Sequence, residues 1–300
     1  MPRTTLVSFA VCTAVLGGCH DVVEESDISY DDRFETTRFD VYSPPPAAAP
    51  RPAVLVIHGG GWAAGVAGER GGMADHARRF AAAGYVAFNL SYRLVGNDGD
   101  ESGVFPRAVQ DAICALSFIR AHADDYGIDP DRIGAYGYSA GGHLASMLGV
   151  AENEPLVQPD CASGPTGPVN AVISGAGPED MTALPQVYVV TDFIGGTKDE
   201  VPELYAAASP LTHVRPGAPP FLFIHGSDDW FVNFTDNTIA MRDALLAVGS
   251  EARVLKLPGG GHLWNRTASG DAWDIAQSID TPAAWEASID FFDHRIGPVE

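Results

Sequence analysis

Short apolar runs alternate along this chain with segments whose apolar residues recur at helical spacing. The run AVLVIHGGGW, residues 53–62, is apolar until it ends in glycines, which is typical of a buried strand that enters a loop. The segment MADHARRFAAAG, residues 73–84, has helical spacing and a terminal glycine. The same patterns predict further strands at 33–44, 85–94, 132–139, 169–177, 218–229 and 251–262, and further helices at 105–127, 140–151, 235–249 and 282–296.

Alternation of strands and helices predicts an α/β fold, with a mostly parallel sheet that helices cover on both faces. In such sheets, chemistry takes place at the carboxyl ends of the strands. The residues that follow each predicted strand are therefore the first place to look for functional side chains.

A serine flanked by glycines lies where a predicted strand meets a predicted helix. In IGAYGYSAGGHLAS, Gly137 and Gly141 stand two residues before and two residues after Ser139. A nucleophile on a sharp strand-to-helix bend crowds these two positions together, so both must lack a Cβ. The helix that begins at Ala140 would also point free N–H groups at the serine oxygen. We therefore predict that Ser139 is a nucleophile.

Three consecutive glycines, in HGGGW, end an earlier predicted strand. The N–H groups of Gly60 and Gly61 could form an oxyanion hole with that of Ala140, although a tight glycine turn is the alternative. His58 is expected to brace this loop. Trp62 is a candidate substrate-binding residue, which either walls the site or packs beneath it.

A base and a carboxylate are available after the last two predicted strands. His262 lies on the glycine-rich loop LPGGGHLW, which would let an imidazole reach the serine, and an ordinary loop histidine is the alternative. The segment FLFIHGSDDWFVN offers Asp228 and Asp229 as the carboxylate. The order Ser139, Asp229, His262 is the order expected of α/β-hydrolases.

The N-terminal segment has the pattern of an export signal. Leu6–Leu16 is an apolar run of eleven residues, too short to span a bilayer. The run ends in LGGC, which resembles a bacterial lipoprotein signal with Cys19 as the lipidated residue; cleavage that releases a soluble protein is the alternative. We predict a signal over 1–18, an acidic tether over 19–33 and a catalytic domain over 34–300, in a protein at the cell envelope, in the periplasm or secreted.

Export makes the remaining cysteines informative. Cys12 falls in the signal and Cys19 is the proposed lipid site, so Cys114 and Cys161 are left in the body of the chain. A pair in an oxidising compartment is either a disulfide or two buried thiols, and spacing does not decide between them.

Charge limits the partners that the chain can have. Eighteen Lys and Arg against 39 Asp and Glu give a net charge of −21. A chain this acidic should repel nucleic acid and anionic lipid, so we expect no nucleic-acid partner and membrane contact only through a lipid anchor. Residues 97–103 hold three acidic side chains without the spacing of a calcium loop, and we expect no metal and no cofactor.

The motifs HGGGW, GYSAGGHLA, SPLTHV, PPFLFIHGSDD and GGGHLW together resemble α/β-hydrolases of the carboxylesterase and hormone-sensitive-lipase kind. The similarity is greatest to bacterial feruloyl and acetylxylan esterase-like proteins, and it runs from about Phe39 to Phe292. In that family the acid is the last residue of H-G-x-x-D, which implies Asp229. The chain has DWFVN where the family often has a proline at the position of Asn233, so Trp230 and Phe231 are further candidates for substrate binding.

The resemblance implies a serine hydrolase that cleaves soluble short-acyl, acetyl or feruloyl-type esters through an acyl-enzyme. An amide hydrolase with the same triad, such as a formamidase or peptidase, is an alternative, and a non-catalytic binding module on the same fold is another. Residues 178–211 form only a modest insertion, which we expect to be a small lid, so interfacial lipase action is not expected.

Overall fold

The computed structural model describes residues 22–65, 70–99, 102–159, 161, 164, 166–262 and 281–297. Within this part of the chain, eight strands form one sheet in the order β1-β2-β4-β3-β5-β6-β7-β8. The strands are β1 (Val23–Ser29), β2 (Arg38–Ser43), β3 (Arg51–Ile57), β4 (Val86–Leu90), β5 (Ile128–Tyr138), β6 (Ala171–Gly175), β7 (Phe221–Gly226) and β8 (Ala252–Leu257). The α-helices described are α1 (Ala74–Ala82), α2 (Arg107–Ala121), α3 (Ala123–Tyr126), α4 (Ala140–Val150), α5 (Tyr188–Ile194), α6 (Pro202–Ala207), α7 (Ala240–Ala247) and α8 (Pro282–Arg295).

The sheet is parallel from β4 to β8 and antiparallel only at the edge formed by β1 and β2. Strand β3 is a continuous apolar run because both of its faces are covered. Leu55 and Ile57 pack into a core with residues of α2 and α4, and Val54 and Val56 pack into a second core with residues of α1 and α8. The predicted α/β architecture, with helices on both faces, is confirmed.

The predicted acidic tether over 19–33 is wrong for residues 23–29, which form a strand. Residues Val23–Ser29 form β1, which pairs antiparallel with β2 at the edge of the sheet. An edge strand pairs through its backbone, and its acidic side chains remain near solvent, so their charge does not prevent pairing. Two of these side chains also form ion pairs: the carboxylate of Glu24 lies 3.2 Å from the guanidinium of Arg78, and that of Asp27 lies 3.3 Å from the guanidinium of Arg70.

The insertion between β6 and β7 contains α5 and α6, neither of which the sequence pattern predicts. Helix α5 packs against the glycine loop after β3. A Cβ built on Gly61 would lie only 3.3 Å from Val189 Cβ, on α5. The ring of Phe193, also on α5, stacks on Trp62 with ring centroids 4.2 Å apart. The insertion therefore covers the loop that was expected to form an oxyanion hole.

The structure joins Cys114, on α2, to Cys161 by a disulfide with a Cα–Cα distance of 6.0 Å. Of the two alternatives left open by the sequence, it contains the bridge. The predicted signal and the proposed lipid site Cys19 lie outside the described residues. No helix within the described ranges is long and apolar enough to cross a membrane.

Candidate active site

Ser139 occupies a strained bend between β5 and α4. Its backbone has φ 53° and ψ −120°, in the left-handed half of φ space that non-glycine residues rarely adopt. The bend is held by a hydrogen bond of 2.7 Å from the Ser139 N–H to the carbonyl of Gly175, on the neighbouring strand β6. Strain of this kind persists where surrounding structure enforces it, as at the elbow that presents a nucleophile.

A line of hydrogen bonds connects this serine to a histidine and a carboxylate. Ser139 Oγ lies 2.9 Å from His262 Nε2, and His262 Nδ1 lies 2.7 Å from Asp229 Oδ2. A carboxylate can only accept, so Nδ1 carries the ring proton and Nε2 is free to accept the serine proton. The structure thus brings together the three residues that the sequence proposed as nucleophile, base and acid.

Asp229 is buried and accepts hydrogen bonds on both of its oxygens. Oδ1 accepts the backbone N–H groups of Phe231 and Val232, each at 2.9 Å. Burial by itself would raise the pKa of Asp229, but the hydrogen bonds from His225 and His262 outweigh it and hold the pKa well below its ordinary value. The carboxylate therefore stays ionised beside the imidazole of His262.

The neighbouring Asp228 is turned away from the histidine. Its side chain accepts a hydrogen bond of 2.8 Å from Ser227 Oγ, and its backbone N–H donates to Gly260 at 2.8 Å. Residues 227 and 228 form a turn after β7, and of the two aspartates only one has a hydrogen bond to His262. In the structure that residue is Asp229.

His225 is a functional candidate that sequence reasoning missed. Its Nε2 lies 3.0 Å from Asp229 Oδ2, the same oxygen that His262 contacts, and its Nδ1 lies 2.6 Å from Thr238 Oγ1. The available signal was the H-G-x-x-D spacing itself, which places a histidine four residues before the acid at the end of a buried strand.

The glycine loop after β3 lies directly against the nucleophile elbow. A Cβ on Gly59 would be 2.7 Å from the carbonyl oxygen of Tyr138 and 3.3 Å from Ser139 Cβ. Gly60 and Gly61 adopt φ of 104° and 61°, which glycine reaches without steric cost. The loop and the first turn of α4, which begins at Ala140, thus meet beside the serine, where N–H donors would stabilise an oxyanion.

Trp62 does not line the site, so its prediction as a substrate-binding residue is wrong and the alternative, packing beneath the site, is the one the structure contains. Its side chain is 1% exposed and packs beneath the loop, between Phe193 and His143. The indole N–H donates to His143 Nδ1 at 3.2 Å, so the other nitrogen of that ring carries the proton and donates to the Ala208 carbonyl at 2.7 Å. The glycine pattern predicted the loop on which Trp62 lies, but not the direction in which its ring points.

His58 braces the same loop. It is buried, its ring stacks on Tyr92 with centroids 4.4 Å apart, and its Nδ1 lies 2.8 Å from the Gly59 carbonyl. Burial lowers the pKa of His58 to about 4, so the ring is neutral near pH 7. This placement agrees with the structural role that the sequence suggested.

Two aromatic residues follow Asp229 on the side of His262. The ring of Phe231 meets the His262 ring edge to face, with centroids 5.3 Å apart. Trp230 is 76% exposed and contacts Phe231 edge to face, with centroids 5.7 Å apart. The pair extends an apolar surface from the catalytic imidazole into solvent.

A buried carboxyl group lies behind the helix that follows the nucleophile. Glu179 Oε1 accepts hydrogen bonds from Ser174 at 2.6 Å and Ser146 at 3.0 Å, and Oε2 has no partner among the described residues. Burial raises the pKa of Glu179 to about 8, and the two serine hydrogen bonds offset only part of that effect. The group is therefore protonated at neutral pH.

The sheet, the strained serine and its hydrogen-bonded imidazole and carboxylate define an α/β-hydrolase with the geometry of a serine hydrolase. The BD-FAE family model matches residues 39–245, and the chain belongs to that family.

Curated relatives and a solved structure share this architecture. Esterase LipC of Mycobacterium tuberculosis is 33% identical, over 71% of this chain and 53% of its own length. Esterase LipQ of the same organism is 28% identical, over 89% of this chain and 62% of its own length. The matched part of this chain therefore spans about half to three-fifths of the length of these two relatives. A truncated carbohydrate esterase from gut microbiota superposes with a TM-score of 0.73 at 24% identity, over 91% of this chain and 95% of that one, which is a likeness of fold.

Proposed function

We propose that this chain is a carboxylesterase-type serine hydrolase that cleaves soluble esters. One observation carries the proposal: the hydrogen-bonded line from Ser139 through His262 to Asp229, with distances of 2.9 and 2.7 Å. Membership of the BD-FAE family and the names of the mycobacterial relatives support an ester as the substrate.

In the proposed reaction, Ser139 Oγ attacks the acyl carbonyl while its proton moves to His262 Nε2. N–H groups of Gly60, Gly61 and Ala140 stabilise the oxyanion, and Asp229 stabilises the imidazolium. The C–O bond to the alcohol then breaks, and His262 returns the proton to the leaving oxygen. Water repeats the sequence on the acyl-enzyme, which releases the acid and restores Ser139.

Short-acyl, acetyl or feruloyl-type esters are the proposed substrates. The exposed ring of Trp230 and the half-buried ring of Phe231 offer a flat apolar surface beside His262, against which a sugar or a feruloyl ring can lie. A solved structure with the same fold is named a carbohydrate esterase, which is in keeping with a carbohydrate ester among these substrates.

A panel of esters tests the proposal. The purified protein is assayed with p-nitrophenyl esters of increasing acyl length, with methyl ferulate and with acetylated xylan, beside its Ser139→Ala variant. Turnover that Ser139→Ala abolishes is the expected result, and equal turnover by both proteins would overturn the proposal. Faster cleavage of p-nitroacetanilide than of p-nitrophenyl acetate identifies an amide hydrolase. Failure of a fluorophosphonate to label Ser139 identifies a binding module.

The substrate surface is tested with Trp230→Ala. We expect kcat/KM for methyl ferulate and acetylated xylan to fall by about tenfold more than kcat/KM for ethyl acetate, because ethyl acetate has neither a ring nor a sugar that could lie on the surface. Leu246→Ala, which removes an exposed apolar side chain from α7, is the matched control. An equal fall for all three substrates would contradict a role of Trp230 in recognition.

We also propose that the chain is exported and carries lipid on Cys19, as the LGGC pattern indicates. The disulfide between Cys114 and Cys161 supports an oxidising compartment. Intact-mass analysis of the native protein tests this: a diacylglyceryl adduct on Cys19 is expected, and an unmodified N-terminus or a retained signal would rule it out.

A further inference from the structure

Asp229 holds two imidazoles on a single oxygen. Oδ2 receives His262 Nδ1 at 2.7 Å and His225 Nε2 at 3.0 Å, whereas Oδ1 is occupied by two backbone N–H groups. The hydrolytic cycle proposed above uses only His262. The second imidazole is therefore a donor to the catalytic carboxylate that the reaction itself does not explain.

The hydrogen bonds of His225 fix its ring proton. Nε2 faces a carboxylate oxygen, which can only accept, so Nε2 carries the proton. In the neutral ring Nδ1 is then an acceptor, and the hydroxyl of Thr238, 2.6 Å away, donates to it. Both side chains are buried, so water does not compete for either contact.

The surroundings of His225 include few charges that could act in its place. The ring of Phe234 lies against the ring of His225, with centroids 5.5 Å apart. Lys256 is the register partner of His225 on β8, and its ammonium lies over the Phe234 ring, 5.1 Å from the centroid. Tyr138 also faces Asp229 and His262, but burial raises its pKa well above the ordinary value and the phenol is neutral. Among the residues that the structure describes, His262 and His225 are the titratable side chains with a hydrogen bond to the carboxylate.

We infer that His225 is a positioning residue that weakens Asp229 as a hydrogen-bond acceptor and thereby sets the pH at which His262 becomes a base. The inference rests on the proposed function, because it concerns the same triad. A donor on Oδ2 draws negative charge away from the bond to His262, so the imidazolium is less strongly stabilised. Thr238 acts one step further out, because it holds the His225 ring in the orientation and tautomer that donate.

Loss of the donor gives an effect with a definite sign. Without His225 the carboxylate interacts more strongly with the imidazolium of His262, so the serine base is protonated up to a higher pH. The acid limb of the profile of kcat/KM against pH, which reports the base of the free enzyme, then moves upward. A residue that only filled space would lower activity or stability without moving this limb.

The experiment compares His225→Leu, His225→Gln and Thr238→Val in the full chain, with p-nitrophenyl acetate as the probe. His225→Leu should raise the acid-limb midpoint by about half a unit or more. His225→Gln, whose amide can donate from nearly the same place as Nε2, should restore the wild-type midpoint. Thr238→Val, which is almost isosteric, should give a smaller shift in the same direction. His76→Leu removes another buried imidazole, one whose nitrogens have no partner among the described residues, and should leave the midpoint unchanged.

Circular dichroism and the melting temperature establish that each variant is folded before its profile is measured. If His225→Leu does not fold, Thr238→Val and His225→Gln still decide the matter. An acid limb that stays at the wild-type midpoint in the folded variants, or one that moves equally in His225→Gln and His225→Leu, would overturn the inference. Absence of ester turnover by the wild type would instead overturn the proposed function, so the two failures are distinguishable.

Discussion

The Cβ position of Gly137 lies 2.1 Å from the carbonyl oxygen of Gly141, on the other side of Ser139. The Cβ position of Gly141 is in turn 2.1 Å from the carbonyl oxygen of Ile57, on the neighbouring strand β3. Backbone atoms cannot rotate aside as a side chain can. The two glycines are therefore a steric requirement of the bend that presents the serine.

Gly137→Ala should destabilise the protein severely. We expect a loss of at least about 3 kcal/mol in the free energy of unfolding, because the added methyl group would overlap backbone atoms of Gly141 and Gly142. Urea denaturation measures the change. Gly71→Ala, at a glycine with nothing within 4 Å of its Cβ position, is the control and should be near wild type. Wild-type stability of Gly137→Ala would contradict the steric argument.

Substitutions in the triad should reduce ester turnover in a defined order. Ser139→Ala and His262→Ala should each lower kcat by roughly 10⁶, because nucleophile and base act as one unit. Asp229→Asn should lower kcat by about 10⁴, because an amide can favour the wrong tautomer of His262. Steady-state kinetics with p-nitrophenyl acetate measure all three variants.

Asp228→Asn is the matched control for the carboxylate, because it alters the adjacent side chain, which contacts Ser227 and not His262. Its activity should be close to wild type. If Asp228→Asn abolished turnover while Asp229→Asn retained it, the acid would be assigned one residue too late, although the pairing of Ser139 with His262 would stand.

Glu179 should make the protein less stable at alkaline pH. Burial raises its pKa to about 8 from an ordinary value of 4.5, so the folded state binds this proton more tightly than the unfolded state does. Its contribution to stability is fully present below pH 4.5 and is lost as pH rises to about 8, because the unfolded chain has already released the proton over that range. Glu179→Gln should remove this part of the pH dependence, so that the variant gains stability relative to wild type as pH rises.

Denaturation at pH 5, 7 and 9 measures that difference, and Glu203→Gln, at an exposed position on α6, is the control. A stability difference between wild type and Glu179→Gln that is the same at all three pH values would argue that the carboxyl group does not titrate in this range.

The disulfide should contribute substantially to stability. The chain between Cys114 and Cys161 closes a loop with a sequence separation of 47, for which the loop-entropy model gives about 4 kcal/mol. Replacement of both residues by alanine should lower the melting temperature, and a reductant should lower that of wild type but not that of the double variant. If the double variant had the same melting temperature as the oxidised wild type, the disulfide would contribute nothing to the stability of the protein.

Glycine patterns made the centre of this site predictable from sequence. The elbow around Ser139 and the loop at Gly60 and Gly61 need backbone conformations or close approaches that few residues allow, so the residue types disclose the geometry. His262 and the pair Asp228 and Asp229 follow successive parallel strands, whose carboxyl ends meet at one end of a sheet. The resemblance to a family with an H-G-x-x-D pattern then selected Asp229.

The features that sequence could not supply depend on contacts between distant parts of the chain. The acidic residues of β1 gave no apolar alternation, because an edge strand pairs through its backbone. Glu179 is an ordinary residue until the fold encloses it with two serines. The H-G-x-x-D spacing marks His225, but only the fold shows that its ring contacts Asp229 and Thr238. Trp62 follows its glycines as expected, yet only the packing of α5 decides that its ring is buried.

Strand β1 also has a consequence for the lipid anchor proposed on Cys19. Because β1–β2 and β2–β4 are both antiparallel, β1 runs in the same direction as β4. Val23 therefore lies at the amino ends of the parallel strands, whereas Ser139 follows the carboxyl end of β5. Three residues separate Val23 from Cys19, so the anchor and the folded domain would be at most about 14 Å apart along the chain. A lipid on Cys19 would therefore turn the amino ends of the parallel strands toward the bilayer, and the end of the sheet that holds Ser139 and His262 away from it.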